Sequence, residues 1–141
     1  MNNVNKNNSN DIKLIRHYIK DLSFENPQDV NQNKSMQNNN HTISSNMNVI
    51  YAPYNNNFFS LIVKIILDCS SKEEKIKLSH LELDYFGFFK NLTENLDQKL
   101  LTEHGLKLIF PFAKTIIEEI TSKGGSIPIS VEDIDFTLLE N

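Results

Sequence analysis

Hydrophobic and polar positions alternate through much of the first ninety or so residues, and the alternation divides into four runs. Asp11–Glu25, DIKLIRHYIKDLSFE, mixes β-branched and aromatic residues in rough alternation. It ends at Asn26-Pro27, a turn signal, so it predicts a first strand. Ile43–Tyr54 places Met47, Val49 and Tyr51 in one parity, with Pro53 confined to an edge or a strand end. After the turn residues Asn55-Asn56-Asn57, a third strand puts Phe59, Leu61, Val63, Ile65 and Leu67 on one face. Ile62 and Ile66 fall on the other, so that face is expected to be partly covered too. Asp68–Glu74 reads as a charged connection. Lys75–Phe89 is the fourth strand, and its apolar parity runs through Ile76 and Leu78 before switching to Leu81, Leu83 and Tyr85. A plain slip would turn the core face to water, so the switch predicts a one-residue bulge near Ser79-His80.

Beyond Phe89 the period becomes helical. Thr93 or Asn91 can cap a short helix carrying Leu96, Leu100 and Leu101, with Gly105 as its stop. A longer helix follows, in which Leu108, Phe112, Ile116 and Ile120 are spaced by four, flanked by Ile109, Ala113 and Ile117. Pro111 is expected in its first turn, and Lys123-Gly124-Gly125 at its end. Ile134, Phe136, Leu138 and Leu139 form a short apolar tail expected to dock back on the domain. Strands first and helices after predict an α+β fold. It is a four-stranded antiparallel sheet with a short and a long helix on one side. Residues 1–11 read as a disordered tail, 12–141 as one domain, and 28–41 as a polar, Asn-rich loop.

Composition sharpens this picture. Of 20 Asn, 17 lie in the first 57 residues, so the core must come mostly from the rest of the chain. The balance of 14 Lys+Arg against 18 Asp+Glu gives a net charge of −4, which does not suit phosphate-backbone binding. A single cysteine, Cys69, excludes an intramolecular disulfide and a cysteine-based zinc site, and fits a reducing cytosol. The opening stretch MNNVNKNNSNDIK carries no apolar run of 7–15 residues, so no secretory leader is expected. Its most apolar stretch, Phe58–Leu67, is shorter than the ~20 residues of a membrane-spanning helix and carries Lys64.

Two features bear on function. Asp21 and Glu25 share one face of the first strand, opposite Leu22 and Phe24; Glu82 and Asp84 share one face of the fourth, opposite Leu81 and Leu83. The sheet side away from the helices is therefore expected to be acidic. Such a side is either an ordinary solvated face or a surface that attracts basic partners. The chain also carries more apolar area than one protomer of this size can hide, with Tyr85, Phe86, Phe88 and Phe89 crowded at one strand end. Subunit association and open apolar grooves are the two outlets. Catalytic patterns are absent: there is no Gly-x-Ser-x-Gly elbow, no His-Glu-x-x-His and no phosphate-binding glycine loop. His17 and Asp21, on an unbroken strand, would stand about 13 Å apart, too far to hydrogen-bond. The expectation is a non-enzyme without cofactor or metal.

Three segments and the tail carry a resemblance. Tyr18–Pro27, YIKDLSFENP, resembles the opening strand of the protein-export chaperone family SecB. That strand has an aromatic residue followed by Lys-Asp, Ile or Leu, Ser-Phe-Glu and Pro. Glu82–Phe89, ELDYFGFF, is similar to the family's fourth-strand end. Leu108–Gly124, LIFPFAKTIIEEITSKG, resembles its main helix, and Pro128 with Ile134-Asp135-Phe136 resembles its tail. The segments occur in family order.

The resemblance implies a cytosolic homotetramer, a dimer of dimers. It would bind unfolded precursor proteins without ATP and pass them to the translocation ATPase SecA. It places the SecA contact at Asp21, Glu25 and Glu82, which match the family's acidic positions. Met47, Val49, Tyr51, Phe86 and Phe88 are candidates for the client-binding grooves. An oligomeric adaptor with the same fold, not dedicated to export, is the alternative. The chain departs from the family at Glu103-His104-Gly105-Leu106, where Cys-Pro is common. It also has Lys114 for Arg, no tryptophan after the first strand, and His80 where an apolar residue is usual.

Overall fold

The computed structural model describes residues 11–28, 41–55, 57–73, 76–93, 96–125 and 127–131. All of the expected N-terminal tail but Asp11, most of the Asn-rich loop and the apolar segment from Ile134 to Leu139 lie outside the described residues; the Asp11 carbonyl accepts a hydrogen bond from the Leu92 N–H. Among the described residues, four strands, β1 (Ile12–Glu25), β2 (His41–Pro53), β3 (Phe58–Ser71) and β4 (Lys77–Asn91), are followed by one helix, α1 (Gln98–Lys123). The strands form one antiparallel sheet in the order β1-β4-β3-β2, so the first strand crosses over to pair with the last.

The inward residues of β3 (Phe59, Leu61, Val63, Ile65, Leu67 and Cys69) and of β4 (Leu81, Leu83, Tyr85 and Phe89) are all buried under α1. Each large apolar side chain taken fully from water stabilises by roughly 1.5–3 kcal/mol. These two central strands therefore carry most of the core. The segment expected as a charged connection after Leu67 continues β3 to Ser71, because Cys69 is fully buried and pairs with Ser79.

The parity switch in β4 is present. Cys69 pairs with Ser79 but Ser70 pairs with Lys77, which leaves Leu78 as the extra residue. Leu78 and Ser79 are consequently both buried although adjacent in sequence. β1 carries two bulges of its own, at Ile15 and Lys20. The second separates His17 from Asp21. His17 turns toward α1, with Nδ1 2.5 Å from the Tyr85 hydroxyl and its ring 4.2 Å from that of Phe112. Asp21 lies on the opposite side, opposite Asp84. An unbroken strand would have put both on one face.

The helix differs from its expected form. Where a short helix ending at Gly105 and a longer one from about Leu108 were expected, α1 is continuous from Gln98 to Lys123 and passes through both Gly105 and Pro111. Its cap is Asp97, whose Oδ1 accepts from the Leu100 N–H at 2.9 Å. Asn91 instead accepts from the Thr93 N–H in a turn after β4. The buried centre line runs Leu101, Gly105, Ile109, Ala113, Ile117 and Thr121, one residue every four. Leu108, Ile116 and Ile120 lie half-buried beside it, and Phe112 is exposed. Small residues on the centre line let the helix approach the sheet, so the stripe is centred one residue from where spacing alone placed it. The helix ends at Gly124, whose N–H donates to the Ile120 carbonyl, and Gly125 adopts φ +70°. Asn26 Nδ2 donates to the Gly124 carbonyl and ties the end of β1 to the end of α1. The chain then folds back so that the Ile129 N–H donates to Thr121 Oγ1 at 2.9 Å, with both residues buried.

Candidate functional site

Because successive strand residues point to opposite sides, the face of the sheet away from α1 is assembled from alternate residues of all four strands. The strand register sets them in rows. One row is Glu25, His80, Asp68 and Ser44; the next is Ser23, Glu82, Ile66 and Asn46; the third is Asp21, Asp84, Lys64 and Asn48. Two further rows are Tyr18, Phe86, Ile62 and Ile50, then Arg16, Phe88, Ser60 and Ala52. The outer face therefore divides across the strands into an acidic half and an aromatic half.

Five carboxylates, Asp21, Glu25, Asp68, Glu82 and Asp84, share the acidic half with Lys64, Lys77 and His80. Asp21 sits directly opposite Asp84, an unfavourable pairing that Lys64 relieves from the other flank, with Nζ 3.3 Å from Asp84 Oδ2. His80 stands between two carboxylates, its Nδ1 2.6 Å from Asp68 Oδ1 and its Nε2 3.1 Å from Glu82 Oε1. Hydrogen bonds to Asp68 and then Glu82 raise its pKa above the ordinary histidine value. Lys77 lies 3.9 Å from Asp68. Among the described residues neither Asp21 nor Glu25 has an ion-pair partner, and both are exposed. The β1 carboxylates are thus free charges, whereas those of β3 and β4 are already engaged. Sequence parity found Asp21, Glu25, Glu82 and Asp84. Parity does not reach Asp68, which lies in the segment expected as a charged connection, or the role of His80, which depends on cross-strand register.

The aromatic half is a run of ring contacts of mixed geometry. Tyr18 and Phe86 rings lie 4.8 Å apart, Phe58 and Phe88 rings stack at 5.5 Å, and Tyr54 meets Phe88 edge-on. Arg16 and Lys90 lie over the Tyr18 and Phe58 rings. Phe86 and Phe88 belong to this outer half.

Met47, Val49 and Tyr51 lie on the opposite, helix-facing side. There α1 packs over β4, β1 and β3, and these three β2 residues stay half-buried. The five groove candidates therefore form two groups on opposite sides of the sheet. Among the described residues no group of three or more His, Cys, Asp or Glu is placed to hold an ion. No helix among them is long and apolar enough to cross a membrane.

Comparison with known proteins gives this geometry a context. A family model described as preprotein translocase subunit SecB matches residues 5–140. The protein-export protein SecB of Rickettsia akari is 34% identical over 131 residues, covering 91% of this chain and 84% of that protein. That of Hyphomonas neptunium is 33% identical, covering 91% and 75%. Among solved structures, a SecB-like chaperone of Mycobacterium tuberculosis, in complex with a ChAD peptide from the HigA1 antitoxin, aligns with a TM-score of 0.64 over 90% of this chain. It covers 93% of that chain at 10% identity, so it supports the shared fold. The family match over residues 5–140 and these relatives, found for a chain with this sheet order and long C-terminal helix, show that the chain belongs to the SecB family.

Proposed function

We propose that this protein is an ATP-independent holdase of the cytoplasm that keeps precursor polypeptides unfolded and delivers them to the SecA translocation ATPase. One observation carries the reading: apolar side chains stand exposed on both sides of the sheet of a single protomer. Ile50 and Tyr54 are 46% and 58% exposed at the outer face, and Ile15, Ile19 and Phe112 are exposed at β1 and α1. A lone water-soluble domain rarely presents so much apolar surface in connected patches. The exposed residues along the free edge of β1 and on α1 are where further copies of the chain would pack, giving the dimer of dimers that the family resemblance implies.

Clients are then held at the half-buried row Met47, Val49 and Tyr51 and at the outer aromatics Phe86 and Phe88. Several such patches on one tetramer reinforce one another, because engagement of the first raises the effective concentration for the next. Each contact can stay weak and unselective. The acidic half, with Asp21 and Glu25 unpaired and Glu82 exposed, offers a basic segment of SecA a surface for steering and docking. The antitoxin-bound relative keeps a second reading open, an oligomeric chaperone whose clients lie outside export.

The test is aggregation of a slow-folding precursor followed by light scattering, together with the native mass of the protein. Suppression at one tetramer per client, without nucleotide, is the expected result. A monomer that leaves aggregation unchanged overturns the proposal.

A further inference from the structure

Both ring nitrogens of His80 lie within hydrogen-bond reach of a carboxylate oxygen, Nδ1 of Asp68 and Nε2 of Glu82. Ionised carboxylates only accept, and a neutral imidazole carries a single N–H. The two contacts can both be hydrogen bonds only when His80 is the doubly protonated cation. The two carboxylates are not equally dependent on it. Asp68 has a second cation, Lys77, at 3.9 Å, whereas Glu82 has no other cation among the described residues.

The surroundings leave the proton few competitors. From β1 the residue facing His80 is Glu25, from β3 it is Asp68, and on β4 itself the neighbours are Glu82 and Lys77. Ser44 of β2, beyond Asp68, is uncharged. The helix packs on the other side of the sheet. His80 thus faces three carboxylates and one lysine, and its side chain is 20% exposed, open enough to exchange a proton with water.

We propose that His80 is a proton-operated latch on Glu82. As an imidazolium it ties up the carboxylate that a basic partner would use, and as a neutral imidazole it releases that carboxylate. This rests on the reading of the acidic half as a docking surface for a basic segment. Its consequence is that the surface is tuned by pH in the physiological range. Partner cations and the His80 proton compete for Glu82, so a proton lost favours the partner, and a bound partner favours loss of the proton. Asp21 and Glu25 stay available throughout, so the latch modulates docking and leaves a basal affinity.

Two measurements on the intact protein test it. In the first, the imidazole of His80 is titrated by NMR in the wild type, Asp68→Asn and Glu82→Gln. The midpoint is expected above the ordinary value of 6.5 in the wild type and lower in both variants. In the second, binding of a synthetic Lys- and Arg-rich peptide without histidine is followed between about pH 6 and about pH 8 at fixed salt. Wild-type affinity is expected to rise about two- to fivefold with pH, the worth of one exposed charge pair. His80→Gln should stay flat. A His80 midpoint at or below 6.5 overturns the latch, as does a His80→Gln protein that keeps the wild-type pH profile. If no variant binds the peptide at any pH, the docking surface itself is wrong and the partner half of the latch falls with it. The NMR titration still decides where the proton sits.

Discussion

Gly105 of α1 and Leu61 of β3 meet so closely that a Cβ added at position 105 would stand 2.5 Å from Leu61 Cδ1, with the Phe89 ring at 3.2 Å. Both neighbours are fully buried, so either can yield only by displacing the close-packed core around it. Gly105→Ala should therefore destabilise by about 1–3 kcal/mol through overpacking. This holds even though alanine is the better helix former by about 1 kcal/mol. The measurement is the midpoint of urea unfolding with an unchanged slope. Adding Leu61→Ala to Gly105→Ala should recover part of the loss relative to the sum of the single variants. An alanine variant as stable as the wild type would show that the helix does not lie this close.

At the acidic half, Asp21→Ala, Glu25→Ala and Glu82→Ala together should weaken SecA binding about tenfold and leave aggregation suppression intact, since exposed charges are worth roughly 0.2–1 kcal/mol each. The wild-type affinity should fall with added salt and the triple variant's should fall less, because screening removes what the mutations have already removed. Unchanged SecA affinity in the triple variant would remove the acidic half from the docking surface.

Thr121 uses its hydroxyl twice in the interior. It donates to the Ile117 carbonyl at 2.8 Å and accepts from the Ile129 N–H at 2.9 Å. Thr121→Val keeps the volume and leaves that N–H buried without a partner, so it should cost about 1–3 kcal/mol. Thr121→Ser keeps the hydroxyl and should cost less. Thermal unfolding of the two variants side by side separates the hydrogen bond from packing.

Cys69 is fully buried, and burial pushes its thiol pKa up. The reactive thiolate is therefore scarce as well as inaccessible. A thiol-directed dye should label the native protein no faster than it unfolds, and mild urea should accelerate labelling. Rapid labelling under native conditions would contradict the burial.

The His80 pair also has a stability signature. Its folded-state pKa is raised, so the stabilisation is fully present below the unfolded value and is lost as pH rises through the folded one. The wild type should exceed His80→Gln in Tm at about pH 6, and the difference should shrink toward about pH 8. A Tm difference that grew with pH would reverse the sign and dismiss the interaction.

How much of this was legible in the sequence depended on whether the signal was local. Strict alternation from Phe59 to Leu67 exposed β3, and the switch from Leu78 to Leu81 exposed the bulge, because both are backbone-period effects. Gly105 lies within the helix and does not end it. A glycine needed for close packing looks, locally, the same as one that stops a helix. The distinction lies in Leu61 and Phe89, which are distant in the chain. The β1 bulges at Ile15 and Lys20 were hidden because inward positions there include the polar His17, so no clean parity existed to break. Asp21, Glu25 and Glu82 could be placed on one side of the sheet by counting residues. That His80 lies between Asp68 and Glu82 required the register of β3 against β4, which no count within one strand supplies.

The strand order has a consequence for how the chain comes together. Of the four described strands β1 is made first and pairs within the sheet with β4, made last of the four, so Ile12 waits for Asn91. Until then its apolar edge is unmatched on a nascent chain, and closing so long a loop slows assembly. A holdase built this way is, during its own synthesis, itself an unfinished polypeptide with an open edge.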